Sequence, residues 1–269
     1  MGAGTATLAF SLLEGALRVL GWPDPGIYAG DPAGLWTLRP SMAERPVRFE
    51  ERDVTFLVRT NKHGWRDDEP APGATLCLGD STTFGWGVAE AEAWPARLEA
   101  RLGVPFTNAG VPGYTTHQGR QILSEALATN PRRVILAYLV RDADRAPVPD
   151  AARPPSRPPP DLQILRAVRT LRPRAPSPGG PAFRVPPADY AANLAWMIAA
   201  IRAAGAEPYL LAFPMVTQPT AHRAALDGLS AEVFAPTLER GAFFAEDPVH
   251  LTPAGNDRLA DWLVGALTR

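Results

Sequence analysis

Two short stretches of this 269-residue chain carry residue types that do acyl chemistry together. The first is Leu76-Cys77-Leu78-Gly79-Asp80-Ser81-Thr82-Thr83, an apolar run that ends in Gly-Asp-Ser and passes into Gly- and Thr-rich chain. The second is Asp247-Pro248-Val249-His250, followed by Leu251-Thr252-Pro253-Ala254-Gly255. A serine hydroxyl is a weak nucleophile until a base takes its proton. An imidazole supplies that base, and a carboxylate beside it sets the tautomer. Ser81, His250 and Asp247 are therefore the candidate nucleophile, base and orienter. Of the histidines His63, His117, His222 and His250, only His250 has an acid three residues before it and a helix start just after it. His117 is the rival base because it follows Gly113 closely, but no acid stands beside it.

Those residues need elements that bring position 81 to position 250. Thr75–Leu78 reads as a strand, so Ser81 falls at its carboxyl end near a helix start, where developing negative charge is favoured. Glu92–Leu102 reads as a helix, with Trp94, Leu98 and Leu102 at helical spacing. Phe106–Asn108 is a short strand and His117–Thr129 a helix. Val134–Val140 is a continuous apolar run of the kind buried on both faces. Asp189–Ala204 is a helix, Pro208–Phe213 a strand, and Leu229–Phe234 fits either. Thr252 suits an N-cap and Pro253 the first position of a last helix running to near Thr268. Alternating strands and helices imply a parallel sheet covered on both faces, whose sites gather at the carboxyl ends of the strands. Ser81, Gly113 and Arg141 all fall just after expected strands. The Gly-rich loop Asn108-Ala109-Gly110-Val111-Pro112-Gly113-Tyr114-Thr115-Thr116 is placed to aim backbone N–H groups at an oxyanion. A dinucleotide fingerprint is excluded: Gly85-Trp86-Gly87 has no third glycine at the required spacing.

Two segments break the pattern. Residues 1–72 form an amino-terminal helix and a loop-rich extension, in which only Val54–Arg59 has strand character. In the helix, Leu8, Leu12, Ala16 and Leu20 share one face, with Glu14 and Arg18 paired opposite. This fits an amphipathic helix docked on the domain or in peripheral contact with a membrane surface, or a signal-anchor remnant. Arg145–Pro187 holds 13 of the 30 prolines, too many for regular structure at its flanks, and reads as an extended insertion in the domain spanning 73–269. Within it Asp161–Arg172 is expected to be a short helix with Leu162, Leu165, Val168 and Leu171 on one stripe. The insertion leaves the sheet beside Arg141, where it is placed to cover the site. Net charge is −1, which gives no global electrostatic case for nucleic acid. The single cysteine, Cys77, excludes an internal disulfide.

The chain resembles the SGNH (GDSL-type) hydrolases. Gly79-Asp80-Ser81 looks like the first block of that family, Gly113 in Gly-Val-Pro-Gly-Tyr-Thr the second, and Asp247 to Gly255 the fifth. The resemblance implies a three-layer α/β/α sandwich with a five-stranded parallel sheet of flavodoxin-like form. It also implies ester hydrolysis without metal or organic cofactor, on a small-molecule, lipid or glycan ester. In those terms Ser81 is the nucleophile, His250 the base and Asp247 its orienter, with the Ser81 and Gly113 N–H groups as oxyanion donors. The extension, with Asn61, Gly64 and Arg66, looks like that of bacterial envelope-associated members. One block departs: where the family reads Gly-x-Asn-Asp, this chain has Leu139-Val140-Arg141-Asp142. Loss of an oxyanion donor typically costs about 10²–10³ in rate. Arg141 either donates to the oxyanion itself, binds a substrate anion, or pairs with Asp142 or Asp144 and points away; Asn108 is a substitute donor. The resemblance thus leaves an O-acyltransferase and an impaired, ligand-binding protein as alternatives to the esterase.

Overall fold

A computed structural model describes residues 2–24, 26–30, 36–153, 162–170 and 179–269. By its internal contacts the chain forms two compact units: residues 1–37 with 155–178, and residues 38–154 with 179–269.

In the smaller unit the helix Gly2–Leu20 contacts the helix Gln163–Thr170. The apolar face of the first helix is not buried on the protein, and the acid expected opposite it is. Leu8, Leu12 and Leu20 are exposed and Glu14 is buried. The reason is electrostatic: one Glu14 oxygen accepts from Arg18 Nε (2.7 Å) and the Gln163 N–H (3.0 Å), the other from the Ile164 N–H (3.0 Å). A carboxylate there satisfies the free N–H groups of a helix amino end. The expected helix 161–172 is seen over Gln163–Thr170; Asp161 and Leu171, and with them part of the stripe expected to cover the site, lie outside the described residues. No described helix is long and apolar enough to cross a membrane.

The larger unit is built on a parallel sheet of five strands in the order Glu232–Phe234, Glu207–Leu211, Arg133–Ala137, Thr75–Gly79, Phe106–Gly110. Leu229–Phe234 thus resolves as a strand. The strand Thr75–Gly79, flanked by Arg133–Ala137 and Phe106–Gly110, is buried throughout, which is why its sequence is an apolar run rather than an alternating one. Its side chains alternate faces. Cys77 and Ile135 join Trp94, Leu98, Leu259 and Leu263 in one core layer, where helices Trp94–Leu102 and Pro253–Leu267 pack together. Thr116–Leu127 and Pro187–Ala203 form a second contacting helix pair. The registers Gly79↔Gly110 and Gly79↔Ala137 bring three strand ends to one rim.

Part of the loop-rich extension is a hairpin: Arg45–Phe49 pairs antiparallel with Val54–Val58. Its first strand escaped the sequence pattern because Pro46 breaks the apolar alternation and demotes the run. The insertion is closed at its base by a two-residue antiparallel pair, Arg145–Ala146 with Ala182–Phe183.

Candidate active site

The strand Thr75–Gly79 delivers Ser81 through a sharp turn. Asp80 is an N-cap in extended conformation: its Oδ1 accepts from the Thr82 N–H and Oγ1, both at 2.8 Å. Ser81 opens the four-residue helix Ser81–Phe84. The turn demands space at two strand ends. A Cβ on Gly79 would stand 2.1 Å from Thr83 Oγ1 and 2.8 Å from the Ala137 carbonyl, and one on Gly110 only 2.3 Å from the Phe84 nitrogen. Glycine at both positions lets the short helix lie directly over the sheet rim.

Asp247 and His250 come from the loop before the last helix, where Thr252 Oγ1 caps the Gly255 N–H at 3.1 Å. Asp247 organises that loop: its Oδ1 accepts from the Val249 N–H (2.8 Å) and the His250 N–H (2.9 Å). Its Oδ2 lies 2.8 Å from His250 Nδ1, and His250 Nε2 lies 2.9 Å from Ser81 Oγ. With the Nδ1 proton given to Asp247, Nε2 is left as the acceptor for the Ser81 hydroxyl. Burial alone would raise the Asp247 carboxyl; its bonds to His250 outweigh that and hold it at about 2. All three side chains are buried. The arrangement lowers the cost of forming a serine alkoxide, the first requirement of acyl transfer.

Gly113 has a φ of 85°, the left-handed region that glycine tolerates. Among the described residues neither the Ser81 nor the Gly113 N–H has a protein acceptor. The Gly113 carbonyl accepts from Arg184 Nη1 at 2.8 Å, and Arg184 also grips the buried Asp150 through Nε (3.2 Å) and Nη2 (2.7 Å). Asp150 in turn accepts from Thr115 Oγ1 and Gln118 Nε2. The two ends of the proline-rich insertion therefore brace the glycine loop. Nothing local in sequence announces this pair, which lies 34 residues apart.

Arg141 is turned to Asp144, with Nη1 3.1 Å from Oδ2, and its Nε is buried without a hydrogen-bond partner. It stays within electrostatic reach of Asp80 and Asp247. Asp142, the other offered partner, is taken by Thr116, whose N–H and Oγ1 donate to its Oδ1 at 2.9 and 2.5 Å. Burial pushes the Asp142 carboxyl up to about 7. Asn108 is committed elsewhere: its Nδ2 donates to the Phe84 carbonyl (3.4 Å) and its Oδ1 accepts from the Gly110 N–H (3.1 Å). It supports the Ser81 helix and the glycine loop rather than offering its amide as a replacement donor. His117 is not beside Ser81; it lies 3.3 Å from Gln121 Nε2 and lines a separate pocket with Arg120, Arg184, Asp189 and Asn193. His63 pairs with Glu125, and His222 is buried against the Val185 carbonyl.

Sequence reasoning missed the hairpin's part in the site. Phe49 sets its ring edgewise to His250, with centroids 5.5 Å apart and an interplanar angle of 79°. Arg52 donates to the Glu246 carbonyl at 2.8 Å and places Nε 4.0 Å from Asp247 Oδ2. Both lie in chain that carries no motif, so only the fold brings them to His250 and Asp247.

Residues 77–258 match the GDSL-like lipase/acylhydrolase family. TesA, a solved structure, is similar at 22% identity with a TM-score of 0.50, over 72% of this chain and 97% of that one. The psychrotrophic esterase EstA from Pseudoalteromonas sp. is similar at 15% identity with a TM-score of 0.50, over 73% and 97%. These two likenesses are of fold. No curated protein matches the chain. Since the matched span runs from the strand Thr75–Gly79 through the serine turn and the glycine loop into the last helix, the chain belongs to the GDSL-like lipase/acylhydrolase family and has the three-layer fold of the SGNH hydrolases.

Proposed function

We propose that the protein is a serine esterase that cleaves a carboxylic ester through an acyl-Ser81 intermediate. The observation that carries this reading is the unbroken relay from Ser81 Oγ to His250 Nε2 (2.9 Å) and from His250 Nδ1 to Asp247 Oδ2 (2.8 Å). As Ser81 Oγ attacks the ester carbonyl, its proton passes to His250 Nε2, and the charged carboxylate of Asp247 steadies the imidazolium. The carbonyl oxygen becomes an anion facing the free N–H groups of Ser81 and Gly113. His250 then protonates the departing alkoxide, leaving acyl-Ser81 and an alcohol. Water repeats the sequence in reverse, releasing the acid and restoring the hydroxyl.

The substrate class is an O-acyl ester of a carbohydrate, lipid or small molecule. Arg141 does not remove the relay, so we rank hydrolysis above a ligand-binding role. Fluorophosphonate labelling and p-nitrophenyl acetate hydrolysis test the reading: both are expected in the wild type and absent from Ser81→Ala. His250→Ala is expected to be inactive and His117→Ala active. An alanine variant at position 81 that still labels fully, or an inert wild type, overturns it.

A further inference from the structure

Arg66 is wholly buried, yet it is held by carbonyls rather than by a carboxylate. Nη1 donates to the Phe84 (3.1 Å) and Gly85 (2.8 Å) carbonyls, and Nη2 to those of Leu57 (2.7 Å) and Val88 (2.8 Å). The guanidinium lies over two rings, 5.2 Å from the Phe56 centroid and 4.8 Å from that of Phe84. Its Nε has no partner. Glu90 and Glu92 act on the guanidinium only from a distance and do not offset its burial; burying a cation with no carboxylate bonded to it is expensive, and an apolar side chain of similar volume would avoid that cost. The position therefore needs what only a guanidinium offers: donors in a rigid planar fork that reach several carbonyls at once, with faces that stack on aromatic rings.

Three of those carbonyls, of Phe84, Gly85 and Val88, belong to the end of the serine helix and the turn beyond it. Phe84 closes the helix Ser81–Phe84 and Gly85 is its C-cap, at φ 80°. So short a helix has almost no internal hydrogen bonds to hold it, and a cation at its carboxyl end suits both the free carbonyls and the local dipole. Leu57 lies in the hairpin strand Val54–Val58, so Arg66 joins the hairpin, the serine helix and the following turn. The loop that presents it is itself shaped by Asn61. The Asn61 Oδ1 accepts from the His63 (2.9 Å) and Trp65 (3.0 Å) N–H groups, and its Nδ2 donates to the Asp68 carbonyl (2.9 Å). Gly64 takes φ 76° within 2.7 Å, at its Cβ position, of the Leu38 carbonyl. The Asn61, Gly64 and Arg66 of the extension thus form one device.

We propose that Arg66 is a positioning residue for catalysis: it clamps the carboxyl end of the Ser81 helix so that Ser81 Oγ stays in register with His250 Nε2. This rests on the serine-esterase reading of the site. A displacement on the order of 1 Å of a reacting group costs about 10²-fold in rate. Loss of the clamp reduces turnover at each competent site rather than merely the number of sites.

The experiment compares wild type, Arg66→Lys and Arg66→Met by two measurements. The first is kcat and KM for p-nitrophenyl acetate per site titrated with fluorophosphonate. The second is backbone hydrogen exchange over residues 80–88, with Arg133–Ala137 as internal reference. The expected result is a kcat per titrated site lowered about 10–100-fold, KM nearly unchanged, and faster exchange confined to 80–88. A folded variant with lower stability but wild-type kcat per site makes Arg66 a structural residue and overturns the proposal. So does unchanged exchange over 80–88. Should neither Arg66 variant fold, Phe56→Leu, which opens one face of the ring sandwich, carries the same expectation and the same refutation. A wild type that fails to label refutes the esterase reading instead, and the exchange measurement alone then decides whether Arg66 holds the helix.

Discussion

Replacing Asp247 by asparagine removes one charge and one acceptor while sparing the loop that carries His250, the proposed base. Oδ1 accepts two backbone N–H groups, those of Val249 (2.8 Å) and His250 (2.9 Å), and Oδ2 faces His250 Nδ1 at 2.8 Å. An amide satisfies only one side. With its oxygen at the Oδ1 position the loop bonds survive and the NH₂ group faces Nδ1. The imidazole must then carry its proton on Nε2, pointing at Ser81, and the hydroxyl loses its acceptor. The flipped amide restores the productive tautomer but aims its NH₂ at two backbone donors. That flip forfeits two hydrogen bonds at about 0.5–1.5 kcal/mol each, so ~2 kcal/mol holds the unproductive orientation and only a few per cent of molecules escape it. Even those lack the negative charge that steadies an imidazolium. Arg52 Nε, 4.0 Å from Oδ2, is too distant for a hydrogen bond and does little to reverse the preference. The expected result is a kcat for p-nitrophenyl acetate lowered about 10³–10⁴-fold, with a thermal midpoint close to wild type. Because the carboxyl is held at about 2, the loss should be the same from mildly acid to alkaline pH. An Asp247→Asn enzyme with a tenth or more of wild-type kcat refutes the relay; a collapsed thermal midpoint refutes the account of the loop.

Arg141→Asn is expected to raise acetate turnover toward the 10²-fold range typical of a recovered oxyanion donor, because the guanidinium is spent on Asp144; a fall in rate would mean that Arg141 serves the oxyanion or a substrate anion. Asp142 sits at about 7, above an unfolded carboxyl near 4, so the folded state alone keeps its proton in that interval and the contribution to stability declines as pH rises through it. Asp142→Asn keeps the acceptor for Thr116 and cannot ionise, so its thermal midpoint relative to wild type should increase steadily between those two pH values; a constant difference counts against the buried proton. Arg184→Gln leaves the Asp150 carboxylate buried without its principal cation and is expected to cost about 3–5 kcal/mol, read as a lower midpoint, together with reduced kcat as the Gly113 carbonyl loses its anchor. An unchanged midpoint would remove Arg184 from that role.

What was legible in the sequence was what the chain does locally. Ser81 could be placed because an apolar run, Gly-Asp-Ser and small residues follow one another within eight positions. Asp247 and His250 could be paired because a three-residue spacing lets one carboxylate serve two backbone N–H groups and the ring. The alternating elements also led to a covered parallel sheet, and the family resemblance supplied its five strands. Contacts made across long stretches of chain were not legible. Arg66 gathers carbonyls 9 to 22 residues away, Arg184 reaches Gly113 across 71 residues, and Phe49 meets His250 only because the hairpin folds onto the domain. Glu14 misled through periodicity: the helical pattern put it outward, whereas a helix amino end drew it inward. For Arg141 the sequence offered Asp142 and Asp144 equally, and Thr116 decided the matter by taking the first.

The burial of Cys77 has a practical consequence. Its thiol is the only one in the chain, has no exposed surface, and sits in a strand with neighbours on both sides; burial also pushes it far from the reactive thiolate. A thiol reagent can modify it only in molecules whose sheet has parted. The chain thus carries its own unfolding clock. The rate of Cys77 labelling reports opening of the sheet directly, and no label need be introduced to separate a variant that has lost its fold from one that has lost only its chemistry.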